Sequence, residues 1–451
     1  MKKLISAGLA VLLALSVSAC SSNEASNSSG GPDSSGNAET ESIEISFMHF
    51  YSEEDRGSDG GIDSFRHVME EWQKDHSNVT LNETTMAQTD FGTKIQALAA
   101  AEDLPDMFFV KGSWMTNFQQ SNLLLPLNDI IDSYEHKDTI NNSAFDACTD
   151  SEGKIYGIPN QLSVTSLVYY NAELWKQAGF DQFPDNWEDI YKAAEYFEAN
   201  DIIPFALGNT DLWESESCWL SCIGDRFTGT DWTNGIIAGD TKYSFTDPDF
   251  VNAVKFMGDI AYLFNEDYNS IGNTQADEFY YCTGKAATMV EGNWAISTID
   301  ASGDEEVIAN THIALLPANE GGKGKANVTS GGYGWFNALN SNLPEGAKRD
   351  ACASLLLDTG CYEMSKYLLE NYGLVGTCNV TDADLSKISP LAQEYAELSG
   401  SLDGLTPTYD LLMEASVIEV MNTGMQEVLN GTKSAEDLCA EIQAEQENVQ
   451  K

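Results

Sequence analysis

Between Ile43 and Val110 the hydrophobic period changes from one segment to the next, and this restricts the fold more than any other feature. Ile43, Ile45 and Phe47 alternate with polar residues, the period of a strand. Ile62, Phe65, Val68, Met69 and Trp72 then recur at helical spacing. Val79 and Leu81 mark a second short strand, and Phe91, Ile95, Leu98 and Ala99 a second helix. Asp106 to Val110 is apolar without alternation, as in a strand covered on both faces. Strand, helix, strand, helix, strand is the signature of a parallel α/β layer. Further along, Trp187, Ile190, Tyr191, Ala194 and Phe197 line one helix. Phe250, Val254, Met257, Ala261 and Phe264 line another, with Asp247 as its expected N-cap and Pro248 in its first turn. Ala286–Val290 and Gly334–Leu339 read as strands, and an amphipathic helix from Ser434 ends the chain. No low-complexity linker divides this body, so two lobes would have to be joined by short strands. Such a joint permits a defined closing motion.

The amino terminus carries a different signal. Lys2 and Lys3 precede an apolar run from Leu4 to Val17, then the small residues Ser18 and Ala19 and a cysteine, Cys20. This is the form of a secretory signal peptide. The run is shorter than the ~20 apolar residues a membrane span requires. Val17-Ser18-Ala19-Cys20 resembles a bacterial lipobox, with Val17 where Leu is usual. The resemblance implies a signal peptide over residues 1–19 and lipid attachment at Cys20. Residues 21–42 hold eight serines and no aromatic, Leu, Ile or Val. Such a segment cannot bury enough surface to order itself, and residues 20–42 read as a flexible tether spanning about 25 Å.

Charge and motifs exclude several functions. The chain of 451 residues carries 71 acidic and 23 basic residues, a net charge of −48. That surface repels nucleic acid and anionic lipid. The eight cysteines after Cys20 are even in number, which permits disulfides outside the cell. They form no Cys-x-x-Cys pair, and most read as small buried apolar residues, with Cys218–Cys222 as a possible local bridge. Five histidines without paired spacing offer no metal site. There is no Gly-x-Ser-x-Gly, no His-Glu-x-x-His and no phosphate loop of the Walker type. Neither a catalytic set nor a cofactor is expected.

Four segments carry a family resemblance. They are Leu104–Phe109 (LPDMFF); Gly153–Pro159 (GKIYGIP) with Leu167–Asn171 (LVYYN), Leu174-Trp175, Ala178-Gly179, Pro184 and Trp187; Phe279 with Gly284–Met289 (GKAATM) and Gly292–Ala295 (GNWA); and Leu429–Gly431 with Ala435–Leu438 and Glu441–Gln443. In this order they resemble the family 1 extracellular solute-binding proteins, the sugar-binding components of ABC importers. The resemblance implies a two-lobed α/β fold of the periplasmic-binding-protein type, with a multi-strand hinge and a ligand cleft between the lobes. Lobe 1 would hold 43–158 and 319–371, and lobe 2 would hold 159–318 and 372–451. Gly157–Asn160 and Leu316–Asn319 are the hinge candidates. It also implies a monomeric, lipid-anchored protein on the outer side of the cell membrane that hands its ligand to ABC transporter permease subunits and performs no chemistry.

A sugar presents an apolar ring face and a rim of hydroxyls, so its site needs flat aromatics and polar side chains. Trp294 matches the Trp of the family's G-x-W-A motif, which begins a helix facing the cleft; Glu291 and Asn293 flank it. Trp335 and Tyr333 lie in a glycine-rich run, Ser330–Trp335, that allows close backbone approach. His49 and Tyr51 follow the first strand, and Lys111, Ser113 and Trp114 the third. Ligands of open α/β sheets bind beyond the carboxyl ends of strands. Asn160 and Gln161 follow the first hinge motif. Asp90 reads as an N-cap, with hydroxyl binding as the alternative. Of Trp213, Trp219 and Trp232, one is expected in the cleft, and Trp213 and Trp232 join the ligand-binding set. The many aromatics favour a di- or oligosaccharide. The rival readings are a non-sugar ligand, a glycosidase with two facing acids, and an adhesive surface protein.

Overall fold

The computed structural model describes residues 42–57 and 59–450. The signal segment, Cys20 and nearly all of the tether lie outside these residues. The alternating patterns at the start of the body do form one parallel layer. Strands β1 (Ile43–His49), β2 (Val79–Thr85) and β3 (Met107–Lys111) run parallel, with β1 in the middle. Helix Gly60–Asp75 connects the first two strands, and helix Gln88–Ala100 the next pair. The first helix is capped by Asp59, whose Oδ1 accepts from the amides of Gly61 (2.6 Å) and Ile62 (3.1 Å). The second corrects the reading of Asp90. Its cap position is Ala87 without a side-chain bond, and Asp90 lies exposed in the first turn, where its charge suits the helix dipole.

Strands β4 (Ile158–Pro159), β5 (Ser163–Val164), β6 (Leu167–Asn171), β7 (Ile203–Ala206), β8 (Ala286–Glu291), β9 (Thr311–Ala314), β10 (Val328–Gly332), β11 (Trp335–Leu339) and β12 (Gly404–Pro407) complete three sheets. The first has the order β2-β1-β3-β11-β4, with β11 antiparallel to its neighbours. The second has the order β7-β8-β6-β9. A small third sheet, β12-β10-β5, carries the chain between them. The first crossing is short: Pro159 pairs in the first sheet, Ser163 in the third and Leu167 in the second. The return crossing is longer, from Ala314 to Val328. β12 adds a third strand that the sequence reading did not contain.

The second sheet is buried on both faces. On β6, Tyr169 faces the core that also packs the first sheet, while Val168 and Tyr170 face a second core with Phe205, Trp219 and Phe250. Met289 and Val290 of β8 divide in the same way. Asp247 occupies the N-cap position of helix Pro248–Ile260, but its side chain makes no cap bond. Its Oδ2 instead accepts from Trp232 Nε1 (2.8 Å) and the Ser244 amide (3.1 Å). Trp232 is therefore a core residue, buried and stacked on Phe250 at 5.0 Å, and not part of a ligand surface. All eight cysteines among the described residues are buried free thiols. The Cys218–Cys222 bridge does not form. The two lie a turn apart on consecutive helical segments, and the Cys218 thiol points at Glu291 Oε2, 3.8 Å away. Among the described residues no helix is long and apolar enough to cross a membrane.

Candidate functional site

The register brings one end of each sheet to the connecting strands. In the first sheet, Lys111 at the end of β3 pairs with Trp335 at the start of β11, and Pro159 leaves β4 beside Phe336. In the second, Glu291 at the end of β8 pairs with Leu167 at the start of β6, and Ala314 at the end of β9 pairs with Val168. The loops after β1, β3, β7 and β8 therefore open at the ends where the chain crosses. This is the switch-point position at which open α/β sheets take ligands.

On the second sheet this end is floored by two tryptophans. Trp294, half-buried at the N-cap of helix Ala295–Ser302, packs against both cores. Trp213 meets it edge to face, with centroids 5.9 Å apart. Trp294 Nε1 donates to Glu291 Oε2 at 2.8 Å, which fixes the indole plane. A Cβ on Gly292 would lie 2.1 Å from the Trp294 ring, so only glycine lets the ring lie over this turn. Gly292→Ala is expected to displace Trp294, shown by a shifted tryptophan emission maximum with the melting profile still cooperative.

Beneath the tryptophans lie three fully buried carboxyl groups, Glu291, Glu214 and Asp277. Burial raises all three. Glu291 is pushed up to about 7, against hydrogen bonds from Glu214, the Gly292 amide, Trp294 and Cys218 that hold it down. Glu214 is raised further by its contact with Glu291, while its Oε2 accepts from the Gly208 amide at 3.2 Å. An acid whose pKa is raised on folding binds more protons in the folded than in the unfolded chain. Its stabilising effect is therefore complete below the ordinary carboxylate pKa and is lost as pH climbs toward the folded value. His49 acts in the opposite sense, because burial lowers its pKa and favours folding as pH rises. Buried acids with raised pKa, these three with Glu216 and Asp59, outnumber the histidine, so the melting temperature is expected to rise from pH 7.5 to pH 5.5. Glu291→Gln should flatten that slope.

The first sheet presents a second aromatic pair. Trp335 and Trp114, both half-buried, meet at 90° with centroids 5.4 Å apart, and Phe50 packs on Trp335 at 4.7 Å. Lys111 Nζ lies 5.6 Å from the Trp335 centroid and 2.7 Å from Asp410 Oδ2. Asp410 belongs to the short helix Tyr409–Leu412, which follows β12. This helix comes close because residue 112 is glycine: a Cβ there would lie 2.6 Å from the Leu411 carbonyl oxygen. Glu216 is buried nearby. It accepts from Ser221 Oγ at 2.7 Å, and its pKa is raised by burial and by Asp410.

Several expected ligand contacts are spent on structure. His49 is fully buried among Phe47, Phe65 and Phe109, with Glu83 3.8 Å away, so it faces the core. Tyr51 is also core, against Phe65 and Phe109. Asn293 uses its whole amide: Oδ1 accepts from the Val164 amide (3.3 Å), and Nδ2 donates to Leu162 O (3.1 Å) and Tyr395 Oη (3.2 Å). It clamps the loop after β8 to β5. The Tyr333 hydroxyl donates to Gly376 O at 3.1 Å. Ser113 is buried in the first turn of helix Gly112–Gln120; Asn160 and Gln161 are buried in the first crossing, but Asn160 Oδ1 and Nδ2 and Gln161 Oε1 have no hydrogen-bond partner and are not consumed by the structure. Of the three tryptophans between 213 and 232, Trp213 meets Trp294, while Trp219 is fully buried. Sequence reasoning missed Glu214, Glu216 and Asp410. Nothing marks three carboxyls among 71 until the fold buries them.

Comparison with known proteins agrees with this architecture. A chitin oligosaccharide binding protein superposes with a TM-score of 0.80 at 23% identity, covering 90% of this chain and 98% of that one. A protein from work on xylan utilization by the thermophilic bacterium Caldanaerobius polysaccharolyticus superposes with a TM-score of 0.79 at 22% identity, covering 89% and 100%. These likenesses show the two-lobed α/β fold. Among curated proteins, an uncharacterized ABC transporter extracellular-binding protein of Pyrococcus horikoshii is 23% identical over 268 residues, 58% of this chain and 58% of its own length. The chain thus matches somewhat over half the length of that relative. Residues 59–349, well over half of the chain, match the family described as bacterial extracellular solute-binding protein, and the protein belongs to that family.

Proposed function

We propose that this protein captures an uncharged saccharide of two or more residues between its lobes and delivers it to the permease subunits of an ABC importer. The observation that carries the reading is the pair of half-buried tryptophan couples, Trp213–Trp294 and Trp114–Trp335, at the crossing ends of the two sheets. Each couple offers an apolar plane to a sugar ring face. Residues 43–158 with 319–371 form one lobe and 159–318 with 372–451 the other, the segment 374–379 resting on the first. Sugar touching both lobes favours the closed form by its differential affinity for that form. The chitin- and xylan-related proteins that share the fold support a saccharide as cargo.

The charges favour a neutral ligand. Lys111 is neutralised by Asp410, and the buried Glu216 lies close by. An anionic sugar meets no uncompensated cation in this group. Binding proceeds without cleavage. Membership of a family of binding proteins supports capture without hydrolysis. Lipid attachment at Cys20 would hold a monomer at the outer face of the cell membrane.

A thermal-shift panel tests the proposal, using neutral di- and oligosaccharides beside sugar phosphates, uronates, amino acids, peptides and metal ions. A ligand at 100 times its Kd adds about 2.7 kcal/mol of stability. A neutral sugar that raises the melting temperature and is recovered intact supports the reading. Cleavage of that sugar, or a response to an anionic or non-sugar ligand alone, overturns it.

A further inference from the structure

Cys361 and Cys378 form a pair among the buried thiols. Cys361 joins helix Ala347–Gly360 to helix Tyr362–Tyr372. Cys378 lies in an extended segment that pairs with Ile140. Ser365 holds the two backbones together: its amide donates to Cys361 O at 2.8 Å, and its Oγ accepts from the Cys378 amide at 3.0 Å. The two thiols face each other closely enough for each to shift the other's ionisation. Disulfide formation requires two cysteines brought into this kind of proximity.

We propose that Cys361 and Cys378 are an oxidisable pair that closes to a disulfide when the chain folds outside the cell. The location rests on the export reading above; the pairing does not. The oxidant is a small-molecule or protein disulfide. The Cys378 thiolate attacks one of its sulfurs, forming a mixed disulfide and expelling one thiolate. Cys361, deprotonated by that thiolate, then attacks the Cys378 sulfur and expels the second. Two protein thiols lose two electrons and two protons, and the oxidant's disulfide becomes two thiols. The order follows from the environments. Thr139 and Ser365 beside Cys378 favour its thiolate, which suits it to open the exchange, and the reverse order gives the same disulfide. Contact with Cys378 and burial raise Cys361.

The bond would fasten a segment that backs the first crossing. Val375 O accepts from the Leu162 amide (2.9 Å), Thr377 Oγ1 donates to Pro159 O (3.0 Å), and Gly376 O accepts from Tyr333 (3.1 Å). A cross-link there ties residues 374–379 to helix Tyr362–Tyr372 and stiffens the wall behind residues 159–162.

The test refolds the full chain in a glutathione redox buffer, blocks remaining thiols under denaturing conditions and maps the peptides by mass. The expected result is a Cys361–Cys378 linked peptide, with a melting temperature that falls roughly 2–5 °C on reduction. Cys361→Ser and Cys378→Ser should each abolish that redox response. Both residues alkylated after oxidising refolding, or linked elsewhere, would overturn the proposal; this readout needs no variant to fold. A pair linked in buffer but reduced in protein recovered from cells keeps the chemistry and counts against export.

Discussion

Trp294→Ala is expected to weaken saccharide binding by about 2–4 kcal/mol, roughly 30- to 700-fold in Kd. Three features place the effect here. The ring is half-buried against both cores, its Nε1 is held by Glu291, and Trp213 meets it edge to face. The truncation removes a platform and also leaves Glu291 Oε2 without the indole donor. Trp294→Phe separates these contributions, because it keeps an aromatic face and loses the hydrogen bond. Calorimetric titration of both variants, with melting curves to confirm folding, provides the check. Unchanged affinity in Trp294→Ala would remove this residue from the site.

Lys111→Met should give the largest loss of stability, about 3–5 kcal/mol, because it strands buried carboxylates. The Lys111 and Asp410 side chains are 14% and 8% exposed, and Glu216 is wholly buried beside them. Methionine preserves most of the volume over Trp335 but removes the charge. Asp410 is then left buried without its partner. Adding Asp410→Asn should restore much of the loss. Denaturant midpoints for the single and double variants decide the matter, and a single-variant loss below about 1 kcal/mol would show that solvent already compensates the pair.

Much of the frame was legible in the sequence because its signals are periodic. The change from period two to helical spacing over 43–110 located β1 to β3 and both connecting helices, as local patterns allow. The third sheet was not legible. β5 is two residues long, and β10 and β12 are partnered across many tens of residues, so no local period reports them. The site divided along the same line. Trp294 and Trp335 stand beside short-range motifs, and the fold places both at crossing ends. His49, Tyr51 and Asn293 also follow strands, but their atoms are consumed by aromatic packing or by the clamp on β5, which depend on partners far along the chain. Asp90 differs, because helix starts shift by a turn with the surrounding packing. Glu214, Glu216 and Asp410 gain meaning only through burial.

The position of β11 bears on the order in which the chain becomes a folded object. It lies between β3 and β4, so residues 43–159 alone make a sheet with a missing rung. That rung arrives only with residues 335–339, some 175 positions later. β1, β2 and β3 can pair early, but completion of the first sheet must wait for most of the polypeptide to be synthesised, and pairings of such long range form slowly. Under the export reading proposed above, a nascent chain of this design would stay threadable until its last third is made and lock only afterwards.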